Sequence, residues 1–135
     1  MKIVLDTNCL LPAIFKRSMY YWLWEAFRKG DYTLCYTTEI LHEYEELLSR
    51  LYSPSIVENV INEVLNAPNV VRTTVFFKWC LITSDYDDNK FVDCAISAGA
   101  EYVVSNDNHF NVLANISFPK VNVLDILSFK QLLNL

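Results

Sequence analysis

The sequence predicts an α/β fold, with a central parallel sheet of about four to five strands carrying helices on both faces. Three observations lead there. The opening run Ile3-Val4-Leu5 is short and wholly apolar, as a central strand covered on both sides must be. Runs of β-prone residues then alternate with stretches at helical spacing, the pattern of crossover connections. Finally, 53% hydrophobic residues with only two glycines and four prolines leave little room for long loops. A chain of 135 residues is long enough for a core of its own and too short for two, so residues 1–135 read as one domain.

Taken in order, the first strand ends at Asp6 and is followed by a polar turn, Thr7-Asn8. A helix from about Ser18 to Lys29 closes with Arg28 and Lys29 in its last turn and Gly30 beyond, a cationic end with a glycine stop. Its Tyr20, Tyr21, Trp22, Trp24 and Phe27 exceed what one stripe buries, so part of this face is expected to meet a partner chain. Thr33 to Tyr36 is a second strand, leading through Thr37 and Thr38 into a helix from Glu39 to Tyr52. Pro54 and Ser55 open the next helix, in which Ile56, Val57, Val60, Ile61, Val64 and Leu65 recur at helical spacing. Val70 to Ile82 is apolar and β-prone but broken by Arg72 and Lys78. Asp88 to Ala98 is a helix with core face Phe91, Cys94, Ala95 and Ala98, ending at Gly99. Tyr102 to Ser105 and Val121 to Leu124 are strands, and Ile126 to Leu133 is a closing helix with Asp125 as its cap. There are no repeats, low-complexity runs or linkers.

No apolar run approaches the roughly 18–20 residues a spanning helix needs, so no membrane association is expected. Lys2 followed by three apolar residues does not make a signal peptide, and a cytoplasmic protein is the expectation. Cys9, Cys35, Cys80 and Cys94 lie far apart, without a C-x-x-C pair or a histidine at zinc spacing, and are expected to pack as small hydrophobes. His42 and His109 lack a serine or cysteine nucleophile placed to use them and read as surface residues, with His109 able to touch substrate.

The net charge of −5 hides an uneven distribution, with Glu39, Glu43, Glu45 and Glu46 in one cluster and Asp85, Asp87, Asp88 and Asp93 in another. Open α/β sheets bind ligands outside the carboxyl ends of their strands. Asp6 and Asp107 lie there, the second just after Val103-Val104-Ser105. On the helix from Glu39 to Tyr52, the stripe Ile40, Leu41, Tyr44, Leu47, Leu48 and Leu51 leaves Glu43 closest to the buried margin. A carboxylate there needs a metal, a hydrogen bond or an ion pair to a nearby lysine or arginine. Asp88 precedes the next helix and is expected to cap it, whereas Asp85 and Asp87 read as solvated and Asp93, about 140° around from Asp88, as flanking.

Asp6, Glu43, Asp88 and Asp107, supported by Asn8 and Ser105, form a candidate ring of oxygen ligands with no cysteine or histidine in it. Hard oxygen ligands favour Mg2+ or Mn2+, and the matching chemistry is phosphodiester hydrolysis. Against an RNA substrate stands the acidic balance. The cations Lys16, Arg17, Arg50, Lys78 and Lys90 are scattered, and weak, salt-sensitive binding at the rim of the site is expected.

The chain resembles PIN-domain ribonucleases of the VapC-like toxin type. The resemblance runs through Ile3-Val4-Leu5-Asp6-Thr7-Asn8, Glu39-Ile40-Leu41-His42-Glu43-Tyr44, Asp87-Asp88-Asn89-Lys90-Phe91-Val92-Asp93-Cys94-Ala95 and Tyr102-Val103-Val104-Ser105-Asn106-Asp107. It implies a three-layer α/β/α PIN-like domain in which Asp6, Glu43, Asp88 and Asp107 bind Mg2+ or Mn2+. Asn8 and Ser105 would support them by hydrogen bonds, with Asp93 as an outer ligand. It further implies an endoribonuclease that acts on single-stranded or structured RNA and leaves a 5′-phosphate, a homodimer, and inhibition by a cognate antitoxin. Two alternatives differ in class. A haloacid-dehalogenase-type phosphatase needs a second acid two residues after the first, where Asn8 stands and can supply no proton. A non-catalytic module acting through self-association or antitoxin binding would have no use for all four acids.

Overall fold

A computed structural model describes residues 1–135. Five strands, β1 (Lys2–Leu5), β2 (Thr33–Tyr36), β3 (Val70–Arg72), β4 (Tyr102–Val104) and β5 (Val123–Leu124), form one parallel sheet in the order β3-β2-β1-β4-β5. Consecutive residues Ile3, Val4 and Leu5, and likewise Leu34, Cys35 and Tyr36, are buried, so helices cover both faces of the central strands. The helices are α1 (Thr7–Ala13), α2 (Tyr21–Lys29), α3 (Thr38–Leu51), α4 (Pro54–Asn66), α5 (Asn89–Ala98) and α6 (Ile126–Leu132). No helix is long and apolar enough to cross a membrane.

The stop signals act as expected. Gly30 and Gly99 take left-handed backbone at φ 80° and 66° and return their N–H groups to the last turns of α2 and α5, a conformation open to glycine at little cost. Asp125 caps α6 by accepting from Ser128 N–H at 2.7 Å.

Three expectations are corrected. The polar turn after Asp6 is instead the start of α1, which Asp6 caps by accepting from the Asn8 N–H. Only Val70–Arg72 of the β-prone stretch pairs with β2, and the chain then runs irregularly to Ser84. That irregular run is held by Asn89, whose side-chain oxygen accepts from Ile82 N–H at 2.9 Å and whose amide donates to Ile82 C=O at 2.8 Å. Cys9, Cys35 and Cys94 are buried, with burial pushing the Cys9 and Cys94 thiols up to about 12, but Cys80 is exposed and has φ 53°.

Two tyrosines fix α3 where the site needs it. Tyr44 is fully buried and donates to Leu5 C=O at the end of β1, and Tyr52 donates to Leu11 C=O of α1 at 2.7 Å. The residue before Tyr44 is Glu43, which this docking carries to the tip of the first strand.

Candidate metal centre

In this strand order the chain leaves β1 towards β2 and β3 on one side and returns to β4 and β5 on the other. The crevice at the carboxyl ends of β1 and β4 is therefore the topological switch point, where such sheets bind ligands. Asp6 follows β1 and its N–H donates to Val104 C=O at 3.0 Å, which sets Ser105 beside it. Ser105 Oγ donates to Asp6 Oδ2 at 2.7 Å and accepts from Asp107 N–H at 3.0 Å, so one buried hydroxyl holds both strand-end acids. Asp107 in turn starts the 3-10 segment Asn108–Asn115, accepting from His109 N–H at 2.9 Å. That turn swings the imidazole back over the acids.

His109 Nδ1 lies 3.0 Å from Asp88, 3.3 Å from Asp107 and 3.7 Å from Asp85. Sequence reading left His109 on the surface and Asp85 in solvent; both side chains do stay exposed, and what it missed is that they meet at Asp88. Ligating atoms of Asp85, Asp88 and His109 lie within 4.8 Å of one another, a spacing that can hold a cation. Contrary to expectation, Asp88 does not cap α5 with its side chain. It closes the 3-10 turn Tyr86–Asp88 and turns to His109, while Asp85 caps that turn by accepting from Asp87 N–H at 3.1 Å.

The electrostatics follow from this crowding. Burial pushes the Asp6 carboxyl up, against the Ser105 hydrogen bond that lowers it, and Asp107 and Glu43 raise it further. Burial, with Asp85, Asp107 and Asp6 nearby, carries Asp88 up to about 6, while the His109 contact opposes the rise. His109 is raised above the ordinary histidine range by its hydrogen bond to Asp88 and the neighbouring acids. Asp6 is buried and Asp88 and Asp107 are partly so; carboxylates gathered this closely repel as separate anions, so the donor set fits a hard divalent cation.

Glu43 behaves differently. One carboxylate oxygen receives the Thr7 hydroxyl, and the other lies 2.7 Å from the Lys90 ammonium, which also meets Asp87 at 2.8 Å. Lys90 was expected at an open rim binding substrate. Its side chain is instead only 6% exposed, sealed between these two acids. Glu43 therefore has the ion pair that its position on α3 demanded, and Thr7 ties it to the turn that carries Asp6.

The other predicted site residues scatter. Asn8 is exposed and supports Asp6 through its backbone N–H at 3.4 Å. Asp93 is buried and accepts from Trp79 N–H at 3.1 Å, anchoring the irregular segment rather than facing the acids. Arg50 pairs with Glu46 one turn back on an exposed face of α3, about 10 Å along the axis from Glu43. Lys16 and Arg17 follow α1 and line a groove of about 1120 Å³ with Phe15, Tyr21, Leu51 and Ile56, in which none of the clustered acids takes part. The seven-residue α1 carries these cations about 10 Å from its start at Asp6.

The comparisons agree with this architecture. Two solved structures share the fold. One is a chain of the VapBC2 assembly from Rickettsia felis bound to a DNA fragment from its promoter, with 20% identity and TM-score 0.63, covering 93% of this chain and 98% of that one. The other is a chain of FitAB bound to an IR36 DNA fragment, with 14% identity and TM-score 0.58, covering 92% of this chain and 94% of that one. No curated protein matches the sequence significantly. A family model described as PIN domain matches residues 2–109, which span β1 through Asp107 and His109, and on that match the chain belongs to the PIN domain family.

Proposed function

We propose that this protein is a divalent-metal-dependent endoribonuclease and the toxin of a toxin–antitoxin pair. One observation carries the reading: Asp6, Asp88 and Asp107 converge at the switch point of the sheet, held by Ser105 and His109, with burial and mutual repulsion raising Asp6 and Asp88. Asp6, Asp88 and Asp107 would hold Mg2+ or Mn2+, with Glu43 meeting the ion only indirectly, since both its oxygens already receive protein donors. The chemistry supplied there is Lewis-acid stabilisation of the charge that develops in phosphodiester hydrolysis.

The chain's own groups do the rest. Ser105 keeps the Asp6 and Asp107 carboxylates in register, and Thr7 and Lys90 hold Glu43 against the edge of the cluster. His109, favoured in its charged form, sets a positive group beside Asp88 and Asp107 at the mouth of the site, where a phosphate must enter. The likeness in fold to chains of VapBC2 and FitAB supports an antitoxin partner, and the groove beside Phe15, Leu51 and Ile56 offers it an exposed apolar surface. A cytoplasmic homodimer belongs to the same reading.

The test is incubation of the purified protein with a panel of RNAs in Mg2+, Mn2+ or EDTA, alongside Asp6→Asn and Asp107→Asn. Cleavage confined to the metal-containing reactions of the unsubstituted protein is the expected result. Cleavage in EDTA, or activity surviving both substitutions, contradicts it.

A further inference from the structure

The irregular run that follows β3 and the loop that precedes β5 meet over an edge of aromatic rings. Phe77 packs against Trp79 with ring centroids 4.7 Å apart and planes at 65°, and Trp79 packs against Phe118 at 6.2 Å and 85°. Phe77 is 61% exposed and Phe118 81%, so both outer rings keep open faces. Burial cannot be the reason for aromatic residues at such positions. The backbone holds the group in place: Trp79 N–H donates to the buried Asp93, and the next residue, Cys80, takes left-handed backbone at φ 53°, a costly conformation for a residue other than glycine.

Charge says what such a face would meet. Acids outnumber lysines and arginines 16 to 11 in this chain, yet Val70 to Ser84 contains Arg72 and Lys78 and no acid, and Asn108 to Asn122 contains Lys120 and no acid. The ion pairs of the molecule engage Arg28, Arg50, Lys90 and His109 but neither Lys78 nor Lys120, which flank the rings in sequence; Lys78 lies near enough to Asp93 to favour its carboxylate. Both segments are continuous with the acid cluster. The first runs into Asp85 and Asp88, and the second begins directly after Asp107. Asp93, which anchors Trp79, lies five residues along the chain from Asp88, or about 7.5 Å at helical rise. A cleft lined by Ser105, Asp107, Asn108, Asn111 and Lys120 continues from the acids towards the residue next to Pro119 and Phe118.

We propose that Phe77, Trp79 and Phe118 form a stacking platform for unpaired bases of the substrate strand, with Lys78 and Lys120 taking its backbone. Aromatic rings with interleaved cations are how sequence-tolerant single-strand binding is built, and a duplex keeps its bases stacked on one another and out of reach. This inference rests on the nuclease reading above and adds a binding subsite to it.

The experiment is fluorescence anisotropy in EDTA with a labelled unstructured 12-nucleotide RNA and a 12-base-pair RNA duplex. The proteins are the unsubstituted chain, Phe77→Ala, Phe118→Ala and, as the conservative variant, Phe118→Tyr. Both alanine variants sit on exposed positions, and circular dichroism checks that they fold. Each alanine change is expected to weaken single-strand binding roughly tenfold. Duplex binding should stay within about twofold, and Phe118→Tyr should bind as the unsubstituted chain does, since a stacking face is retained. Unchanged single-strand affinity in both alanine variants overturns the proposal, as does an equal loss on the duplex. So does unchanged RNA binding with a shift from dimer to monomer in sedimentation, which would make the face a self-association surface. The cleavage assay is read separately. A protein that cleaves RNA but binds single strands equally well in all variants loses only the platform, and one that binds through the platform without cleaving loses only the nuclease reading.

Discussion

Asp87 and Asp88 are adjacent in sequence and belong to opposite electrostatic worlds. Asp87 joins Glu43 around the Lys90 ammonium, and its carboxyl is held below the usual range by that hydrogen bond. Asp88 joins Asp85 and Asp107 around the exposed His109, and burial raises it to about 6. Both groups gather carboxylates at the same end of the sheet. The first carries its own buried cation and is a structural clamp, whereas the second gathers its carboxylates around a single exposed imidazole. Clustered acids alone do not mark a metal centre; what matters is whether the fold has already neutralised them.

The sharpest way to break this contrast is to neutralise the two neighbours one at a time. Asp88→Asn should lower metal-dependent RNA cleavage by at least about a hundredfold, since an ion contributes several kcal/mol to the transition state. Asp87→Asn should leave it within about threefold under the same assay, because a partner of Lys90 that is mostly exposed contributes little. In the clamp, Lys90→Met leaves Glu43 buried without its cation and should cost about 3 kcal/mol in urea unfolding, while Glu43→Gln with Lys90→Met recovers most of that loss. Recovery separates a clamp from a catalytic pair, which would stay inactive and stable.

On the ligand side, Ser105→Ala should weaken Mn2+ binding by about 10–100-fold in calorimetry without unfolding the protein, the usual cost of losing the group that orients a ligand.

The two groups should also differ in their response to pH. Asp88 carries a folded-state pKa of about 6 against an ordinary 3.8, so the native state binds the extra proton and metal-free stability falls as pH rises through that interval. His109 acts with the same sign at higher pH, because a raised histidine gives stability that is present below its ordinary 6.5 and lost above its folded value. Asp87, lowered, gives stability that is lost only as pH falls below the ordinary range. Thermal melts in EDTA should show the decline from about pH 4 upward, and Asp88→Asn should flatten its lower part. Smallest of all, Arg50→Ala should change stability by about 0.3–0.5 kcal/mol, since it removes only an exposed pair one helical turn apart.

Much of the fold was legible because its signals are local. Gly30 and Gly99 stop helices at single residues, and Ile3-Val4-Leu5 needs no partner to be recognised as a buried strand. Asp6, Asp107 and Ser105 were legible for the same reason, since position after a strand implies position at the crevice. The start of α1 was hidden by Thr7-Asn8, polar residues that read as a turn, and by Pro12 inside the helix. His109 and Asp85 were missed because their meeting with Asp88 depends on how the 3-10 segment after Asp107 folds back, a tertiary fact. The Lys90 clamp left a trace in the three-residue spacing from Asp87, but only the docking of Tyr44 on Leu5 brings Glu43 to complete it. Trp79 and Phe118 lie too far apart in sequence for either to forecast the other.

The most direct measurement is Mn2+ binding by titration calorimetry to the unsubstituted chain, Asp88→Asn and Asp87→Asn. Asp88→Asn is expected to lose at least about tenfold in affinity and Asp87→Asn less than about twofold. Equal losses in the two variants, or unchanged binding in Asp88→Asn, would contradict the assignment of the metal centre.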